Sequence, residues 1–348
     1  MKKPILIVTC EFDPHADVLI DLLQSMGHQP IRLHTADIPS NIAIDIRFDQ
    51  KGQEYQLITP YYTVDLNDIR SIWWRRPAKP VLPEYLSEDE EIFARLELKT
   101  TLLGLWDNLD CYWMSKPANI SRATHKTGQL KRAANLGFDI PQTMITTDPE
   151  SVQEFYDLCE GNVVYKVLSD PSLGFAGRAN ELMARCRVDQ GPGKEPIIDW
   201  SRVKAKITYT TKVEPDHLQM LDTVRYAPCQ FQEYISKQHE LRVTVIGDEL
   251  FTAEIHSQDH ASTQLDWRHY EATIPYHLGK LPPKVEEACM ALTKGYGLNY
   301  GAIDLILTPD GRYVFLEINP NGQWLWVQQL VPELKMKEAL ASQLIRGS

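Results

Sequence analysis

Long apolar runs, an excess of basic residues and paired cysteines are all missing from this 348-residue sequence. The N-terminal stretch MKKPILIVTCEF has only a short apolar run before Glu11 and Asp13, which predicts a first β-strand rather than a signal peptide. No other stretch has the length of a membrane span. The net charge of −11 argues against a nucleic-acid partner, because phosphate binding draws on lysine and arginine in excess. We therefore expect a cytoplasmic protein without a membrane or nucleic-acid partner.

The six cysteines are scattered, with no C-x-x-C pair and no histidine at zinc-ligand spacing. This pattern is typical of reduced thiols in an intracellular protein. There is also no internal repeat and no low-complexity tract. A chain of this length can form two or three packed subdomains, each with its own core.

The first 115 residues predict an N-terminal α/β domain. A buried strand at Ile5–Thr9, a helix from His15 to Met26 that ends at Gly27, and a strand at Ile31–His34 form a β-α-β opening. Further elements are expected in this domain, namely strands at Ile42–Phe48, Tyr55–Ile58 and Ser71–Arg75 and a long helix from Ser87 to Trp106.

Two more units are predicted, a central one at residues 116–228 and a C-terminal one at residues 229–348. The central unit begins with a basic helix from Asn119 to Leu136 and contains a buried strand, Val163–Leu168. The stretch Ser169–Asn180 has the Gly, Ser and Pro content of a loop. Strands and helices then alternate up to a last helix, Pro332–Ile345.

The segment from Gly301 to Gly322 predicts a β-hairpin with a polar face. Strand side chains alternate between faces, so the apolar residues of each strand are expected to share one face: Ile303, Leu305 and Leu307 on the first strand, and Val314, Leu316 and Ile318 on the second. Asp304, Glu317 and Asn319 then project from the other face. A four-residue loop, Pro309–Arg312, would place Asp304 directly opposite Glu317.

Two carboxylates and an amide oxygen on one rigid surface suit Mg²⁺ held together with substrate phosphates. Acids are disfavoured in strands, and the sequence around these acids is strongly apolar. The alternative is a hairpin with a solvated polar face.

Lys126 and Lys166 are the candidate cations for a nucleotide's phosphates. Lys166 interrupts the apolar run VVYKVL, where a charge is costly unless it meets an anion. The alternative, common for Lys126, is a lysine whose stem lies along the protein while its ammonium reaches water. Backbone N–H groups of the Ser169–Gly177 loop could close over the phosphates.

Taken in order, Lys126, Lys166, the run Gln232-Glu233-Tyr234-Ile235, Glu240 and the Asp304/Glu317/Asn319 trio resemble the ATP-grasp superfamily. The resemblance implies an α/β (α+β) ATP-grasp fold with an N-terminal pre-ATP-grasp domain, a central domain and a C-terminal domain, which hold ATP between two β-rich subdomains. It implies that Glu233, Tyr234 and Ile235 meet the adenine edge, Glu240 the ribose hydroxyls and the two lysines the phosphates.

A narrower resemblance covers nearly the whole chain. The segments SIWWRRPAKP, NISRATHKTGQLKRAANLGFDIPQT, QFQEYISKQHELRVTVIGDELFTAEI, LDWRHY and LEINPNGQW are similar to those of the microviridin-type graspetide synthetases. These macrocyclases phosphorylate an Asp or Glu side chain of a ribosomal precursor peptide. A Thr or Ser hydroxyl or a Lys amine then attacks to give an ester or an amide, and ADP and phosphate are released. The family also suggests a homodimer. The stretch Cys186–Ile198 departs from the family pattern.

Arg242 and Arg268 are the candidate catalytic residues. Arg242 follows Glu240 by two residues and so faces the same side of its strand. We expect it to contact the γ-phosphate or the acyl phosphate, and Arg268 to grip that phosphate or the substrate carboxylate. The alternative for each arginine is a surface ion pair. His256, His260, His269 and His277 could act as a general base, although structural roles are expected for them.

A platform for the precursor's leader segment is predicted at Ile207–Val213 and the amphipathic helix Pro215–Arg225, where Glu214, Asp216 and Asp222 could meet a basic leader residue. A plain packing helix explains the same stretch equally well. Two other functions remain open at this point: an ATP-grasp ligase that adds a free amino acid to a small substrate or protein tail, and a nucleotide- and peptide-binding module without chemistry.

Overall fold

The computed structural model describes residues 2–169, 209–268 and 273–347, together with the backbone of four two-residue strands at 172–173, 187–188, 197–198 and 206–207. Apart from Ser169 and those strands, the predicted loop Ser169–Asn180 and the stretch Cys186–Ile198 lie outside the described residues, as does His269.

The N-terminal domain combines a parallel sheet with a small antiparallel one. Its strands are β1 (Ile5–Thr9), β2 (Pro30–His34), β3 (Ala43–Asp49), β4 (Gly52–Ile58), β5 (Thr63–Asp65), β6 (Ser71–Trp74) and β7 (Tyr112–Trp113). The parallel sheet has the order β2-β1-β6-β7, and β3-β4-β5 form the antiparallel sheet. The helices are α1 (Pro14–Ser25) and α2 (Glu88–Asn108), with 3₁₀ turns at Thr35–Asp37 and Leu66–Asp68. The predicted β-α-β opening is confirmed, whereas β5 was missed because it has only three residues.

Capping side chains explain where these helices begin. Asp13 accepts a hydrogen bond from the His15 N–H at 3.2 Å at the start of α1, and Gly27, at φ +74°, follows its end. Ser87 and Glu90 form a reciprocal capping box at the start of α2. The acidic run Glu88–Glu91 in the first turn complements the helix dipole.

Helix α2 carries apolar residues on two sides. Leu102, Leu105 and Trp106 are buried, and Trp106 packs edge-on against Trp74 with ring centroids 5.4 Å apart. Four other apolar residues of the helix are exposed: Ile92, Phe93, Leu96 and Leu103. Since each residue turns the helix by about 100°, Ile92, Leu96 and Leu103 fall within about 40° of one another. This stripe is uncovered in the single chain.

The central part is built on a four-stranded antiparallel sheet of order β14-β9-β15-β8. Its elements are α3 (Pro117–Ala123), α4 (Lys126–Asn135), β8 (Thr143–Thr146), α5 (Pro149–Leu158), β9 (Val163–Lys166), β14 (Thr211–Lys212), the 3₁₀ helix Pro215–Tyr226 and β15 (Cys229–Glu233). Between β9 and β14 lie β10 (Ser172–Leu173), which pairs with β13 (Lys206–Ile207), and β11 (Arg187–Val188), which pairs with β12 (Ile197–Ile198).

Two predictions for this part need correction. The single helix expected from Asn119 to Leu136 is two helices, because Thr124 closes α3 and His125 is extended, at φ −75° and ψ 105°. Lys126 therefore starts α4. The boundary set at residue 228 assigns β15 to the last domain, whereas β15 pairs with β8 and β9 in the central sheet.

The C-terminal part contains a five-stranded sheet of order β18-β17-β16-β19-β20, with β20 at one edge. Its strands are β16 (His239–Ile246), β17 (Glu249–Ile255), β18 (Tyr276–Leu278), β19 (Tyr300–Leu307) and β20 (Tyr313–Asn319). The helices are α6 (Pro283–Gly295), α7 (Leu325–Leu330) and α8 (Met336–Arg346), with 3₁₀ turns at Ser257–Asp259, Ala261–Thr263 and Pro332–Leu334.

The C-terminal helix joins the first and last parts of the chain. Leu340 and Leu344 of α8 share a buried cluster with Ile5 and Leu19 of the N-terminal domain. The Ser71 hydroxyl also donates to the Leu344 carbonyl at 2.7 Å. The five cysteines in the described residues are free thiols. Among the same residues, none of the helices combines the length and apolar character needed to cross a membrane.

Candidate functional site

The β19–β20 hairpin pairs Asp304 with Glu317, as predicted, but its loop length and strand register differ from the prediction. The loop has five residues, Thr308–Arg312, since Leu307 pairs with Tyr313. That register would place Asp304 opposite Leu316. A β-bulge after Asp304 shifts it by one residue, so that Asp304 faces Glu317 and Ala302 faces Asn319.

The bulge also corrects the predicted faces of β20. Leu316 was expected to share a face with Ile318, yet Leu316 lines the same cleft as Glu317. Phe315 takes its place and packs with Ile318, Ile303 and Leu305 in the core. The extra residue thus lets two acids and an amide converge without leaving an apolar gap beneath them.

Asp304, Glu317 and Asn319 lie together at the end of this hairpin. The Asn319 Nδ2 donates to Asp304 Oδ2 at 3.2 Å and to Glu317 Oε1 at 3.1 Å. A half-turn of the Asn319 amide presents its oxygen to the same point, which gives the oxygen ligands that Mg²⁺ prefers.

Helix α4 holds β20 and brings a cation to it. The Gln129 side chain accepts from the Ile318 N–H at 3.1 Å and donates to the Ile318 carbonyl at 2.9 Å, so it fixes the backbone between Glu317 and Asn319. One turn earlier, Lys126 Nζ lies 3.2 Å from Glu317 Oε2 and donates to the Val167 carbonyl at 2.9 Å. Because α4 begins at this break, the side chains of both Gln129 and Lys126 reach β20.

The two acids have opposite pKa shifts. Burial raises the pKa of Glu317, but Lys126, the Asn319 hydrogen bond and the nearby Arg268 and Lys166 outweigh it and bring the pKa to about 2. Burial raises the pKa of Asp304 above its usual value, reinforced by Glu317 and opposed by Arg242. Glu317 is therefore a carboxylate at neutral pH.

Lys166 lies half-buried at the end of β9 and faces the cleft. Burial lowers its pKa to about 8; Glu317 opposes that fall, and Lys126 adds to it. The Lys166 ammonium is therefore only weakly favoured at neutral pH. An arriving anion would stabilise it.

Arg242 contacts the Asp304, Glu317 and Asn319 trio. Its Nη1 donates to both oxygens of Asp304, at 2.8 and 2.9 Å, and its Nη2 donates to the Gln323 carbonyl at 3.2 Å. Arg242 Nε is buried without a partner among the described residues. A Cβ on Gly322 would lie 2.7 Å from Arg242 Nη2, so only glycine lets the loop approach this closely.

The N-terminal domain reaches the same loop through Arg75. This side chain is fully buried, lies 3.5 Å from Asp13 and donates to the Asn321 carbonyl. Burial lowers the pKa of Arg75, and Asp13 opposes that fall. From below, the Tyr300 hydroxyl donates to the Gly322 carbonyl at 2.8 Å.

The residues assigned to the nucleoside lie at the other end of the cleft. The Glu233 N–H donates to the Gln142 carbonyl at 2.9 Å, and the Tyr234 N–H to the Asn162 carbonyl at 2.8 Å. Glu240 is buried, and burial raises its pKa. Its two oxygens accept from Lys237 Nζ, at 2.6 Å, and from the Ser257 hydroxyl.

Sequence reasoning missed Lys237, Gln230 and Gln232. Lys237 precedes Glu240 by three residues in a loop, a spacing that carries no signal. Gln230 and Gln232 alternate on β15, and each has a side-chain oxygen buried without a partner among the described residues. Both line the cleft beside the predicted adenine run, where they offer acceptors to a donor group.

Arg268 also lines the cleft but is already paired. Its Nε and Nη2 each donate to Asp266 at 2.8 Å, and the Thr210 N–H donates to the same carboxylate. Burial lowers the pKa of Arg268, but Asp266 outweighs it and raises the pKa above the usual value. Arg268 is a fixed cation.

A single cavity of about 960 Å³ collects eleven of the predicted residues. They come from α4, the central sheet, the loop after β15, the C-terminal sheet and the loop before β18: Lys126, Lys166, Glu233, Tyr234, Ile235, Glu240, Arg242, Arg268, Asp304, Glu317 and Asn319. Carboxylates, lysines and unpaired acceptors are the groups that a magnesium–nucleotide complex requires. The site therefore fits ATP and Mg²⁺.

The predicted peptide-binding acids lie outside this cavity. Glu214, Asp216 and Asp222 are exposed on or beside the 3₁₀ helix Pro215–Tyr226. The apolar positions of that helix, Leu218, Leu221 and Val224, pack with α5 residues in a core cluster. These apolar residues are therefore not available to bind a peptide. The acidic side of the helix is exposed and remains available.

Comparisons with known proteins agree with this geometry. The model of the MvdD pre-ATP grasp domain matches residues 4–121. Macrocyclase MdnC from Microcystis aeruginosa MRC, solved with precursor peptide MdnA, is 28% identical, with a TM-score of 0.79, over 98% of this chain and 99% of that chain. A Chryseobacterium gregarium RiPP-associated ATP-grasp ligase, solved with ADP and a leader and core peptide, is 28% identical, with a TM-score of 0.82, over 99% and 97%.

More distant structures share the fold. D-alanyl-alanine synthetase A from Vibrio cholerae is 11% identical, with a TM-score of 0.51, over 99% of this chain. None of the curated protein sequences matches the chain. The cavity, its Asp304, Glu317 and Asn319 trio and the whole-length likeness to these ligases lead to one conclusion: the chain is a ligase with the ATP-grasp fold, and its residues 4–121 match the MvdD pre-ATP grasp domain.

Proposed function

We propose that this protein is an ATP-dependent peptide macrocyclase. It activates Asp or Glu side chains of a ribosomal precursor peptide and joins them to Thr or Ser hydroxyls, or to Lys amines, of the same peptide. The observation that carries the proposal is the Asp304, Glu317 and Asn319 trio facing Lys126 across one cleft, in a chain similar over its full length to ligases solved with precursor peptides.

When bound, ATP would supply the γ-phosphoryl group that converts the peptide carboxylate to an acyl phosphate, with release of ADP, and Mg²⁺ would neutralise phosphate charge. A hydroxyl or amine of the peptide then displaces phosphate, and one water is lost overall per ring. Since this chemistry needs mainly positioning and charge neutralisation, the protein's task is to hold charges at fixed points.

Each cleft residue has a part in that task. Asp304, Glu317 and Asn319 supply oxygen ligands, and Lys126 and Lys166 neutralise phosphates. Arg242 fixes Asp304 and places a positive charge beside the reacting phosphate, whereas Arg268, held by Asp266, keeps Nη1 for that phosphate or the peptide carboxylate. These roles follow from charge complementarity and from the fixed geometry of the guanidinium groups.

The nucleoside end is assigned in the same way. We propose that the Glu233 carbonyl and the Ile235 N–H meet the adenine edge beside Tyr234, since the Glu233 N–H is already engaged. Glu240 takes a ribose hydroxyl in place of Lys237 or Ser257, its present partners. The cytosol, where ATP is available and thiols stay reduced, is the proposed site of action.

A ligase that adds a free amino acid would share the metal trio. It would not account for the whole-length likeness to peptide-bound macrocyclases. A binding module without chemistry does not explain why two acids and a lysine are buried together at a cost in desolvation.

Replacing Glu317 by Gln should lower ring formation by at least about 100-fold, because even loss of a group that only hydrogen-bonds to a metal ligand costs roughly 10–100-fold. The assay is loss of one water per ring, by mass spectrometry, with ADP measured alongside. Asp310→Asn is the control, since Asp310 lies in the same hairpin turn and is exposed. Near-normal turnover by a folded Glu317→Gln protein would disprove the metal assignment, and AMP formed with each ring would disprove the acyl-phosphate route.

Lys166 predicts how nucleotide affinity depends on pH. With a pKa of about 8, its ammonium is present below that pH and lost above it, so ATP binding should weaken as pH rises through 8. The Lys166→Arg protein stays charged and should bind ATP with little change over this range. Calorimetric titrations between pH 7 and 9 compare the two. Identical pH profiles would show that Lys166 does not meet the phosphates.

We propose that Glu214, Asp216 and Asp222 contact a basic residue of the leader. Their full exposure limits each contact to about 1 kcal/mol or less. Replacing Asp216 and Asp222 together by Ala should weaken leader binding several-fold and leave ATP affinity unchanged. Calorimetry with the leader peptide alone tests this. Asp157→Ala, an exposed acid on neighbouring α5, is the control, and equal leader affinity in all three proteins would place recognition elsewhere.

We propose that two copies of the chain pair through the exposed stripe of α2. Ile92, Phe93, Leu96 and Leu103 are each at least half exposed, an apolar surface that a second copy would cover. The Leu96→Glu protein should sediment as a monomer where the wild type sediments as a dimer. Thr101→Glu adds the same charge on the opposite side of the helix and should leave the dimer intact. An unchanged dimer in Leu96→Glu would exclude this interface.

A further inference from the structure

Four side chains able to bind a metal lie outside the nucleotide cleft. His239, Glu254 and His256 bring one ligand atom each within 4.8 Å of one another, and His277 packs edge-on against His256 with ring centroids 4.8 Å apart. None of the four lines the cavity described above. The function proposed so far uses none of them.

The strand register explains why they meet. Leu241 pairs with Glu254, and Glu254 pairs with His277, so these side chains share one face of β16, β17 and β18. His239 precedes Leu241 by two residues and His256 follows Glu254 by two, which places both on that face. The His239 and His256 rings stack with centroids 5.0 Å apart. Glu240 and Arg242 alternate with His239 and face the cleft on the other side of the sheet.

The chemistry of the group suits a borderline divalent cation. Two or three imidazoles with one carboxylate form a ligand set of the kind that Zn²⁺ takes. His239 is buried, and burial lowers its pKa, which keeps a ring nitrogen unprotonated at neutral pH. His256 Nε2 already lies 3.2 Å from Glu254 Oε2. In a tetrahedral zinc site with bonds of about 2.1 Å, two ligand atoms lie about 3.4 Å apart, so side-chain rotations must bring the widest pair, at up to 4.8 Å, closer by roughly 1.4 Å.

We propose that His239, Glu254 and His256 form a Zn²⁺ site on the face of the C-terminal sheet opposite the nucleotide cleft, with His277 as the fourth ligand. The ion would tie β16, β17 and β18 together. Ser257 directly follows His256 in the turn after β17, and its hydroxyl donates to Glu240 in the nucleotide cleft. A bound ion would therefore fix the turn that holds Glu240.

The test is zinc binding by the purified full-length protein, which needs no peptide and no turnover. Zn²⁺ is titrated by calorimetry in excess Mg²⁺, which masks the oxygen ligands of the cleft and competes poorly for imidazole. The wild type should bind one equivalent. The Glu254→Gln and His256→Ala proteins should bind at least about 100-fold more weakly, since loss of a ligand exceeds the roughly 10–100-fold cost of losing a group that only supports one.

His260→Ala is the matched control. His260 is an exposed histidine four residues beyond His256, and its ring nitrogen lies near Ser262 rather than the cluster. This protein should bind Zn²⁺ like the wild type. Glu254→Gln keeps the shape of the side chain, so it remains informative if His256→Ala folds poorly, and melting temperatures without metal show which variants are intact.

Cobalt substitution identifies the ligands directly. Co²⁺ in the proposed site should give the visible absorption of a tetrahedral complex without thiolate charge-transfer bands. Thiolate bands would place the ion on cysteine and overturn the proposal. Absence of an equivalent of tightly bound Zn²⁺ in the wild type, or equal affinity in the wild type, Glu254→Gln and His256→Ala proteins, would overturn it as well. Because no nucleotide or peptide enters the assay, failure here leaves the macrocyclase proposal standing.

Discussion

Two carboxylates side by side in a half-buried cleft set the main constraint on this structure. Asp304 and Glu317 would repel each other there, and burial alone favours their neutral forms. Arg242 on Asp304 and Lys126 on Glu317 are each within 3.2 Å and oppose this effect. The cations around Glu317 outweigh burial and lower its pKa, whereas the pKa of Asp304 stays above its usual value in spite of Arg242. The helix break, the hairpin bulge and the close approach of Gly322 all help to bring those cations to the acids. A divalent ion adds two charges at the same point, so the site is suited to a metal.

The cations are in turn fixed by groups from different parts of the chain. Lys126 belongs to the central part, Arg242 to the C-terminal sheet, and Arg75 of the N-terminal domain grips the loop behind them. Leaving any of these charges without its partner inside the protein would be costly. Residues from three parts of the chain therefore depend on one another within one site. A ligase that must exclude water from an activated carboxylate needs such contacts between the parts of the chain that surround its site.

The alternation of polar and apolar residues in the sequence predicted which residues form the site. It did not predict the path of the backbone that brings them together. Charged residues inside apolar strands, such as Lys166 and Asp304, stand out because burying them without a partner is unfavourable. The predicted hairpin register was wrong because the loop is one residue longer than expected. The bulge after Asp304 compensates for that residue, so Asp304 pairs with Glu317 in both the predicted and the observed hairpin. The break before Lys126 has no glycine or proline to mark it. Lys237 and Ser257 reach Glu240 through loops and tertiary packing, which local patterns do not encode.

Strand β20 forms an edge of its sheet, and an edge strand offers unpaired backbone groups to any other extended chain. In this protein, residues of the same chain already bond to backbone groups on the free edge of β20. Gln129 satisfies both backbone groups of Ile318, and the Asp139 carbonyl accepts from the Phe315 N–H at 2.8 Å. These contacts leave fewer free backbone groups on β20 for another extended chain, including a second copy of the protein, to pair with. The Gln129 contacts that fix the backbone between Glu317 and Asn319 therefore also cover this sheet edge.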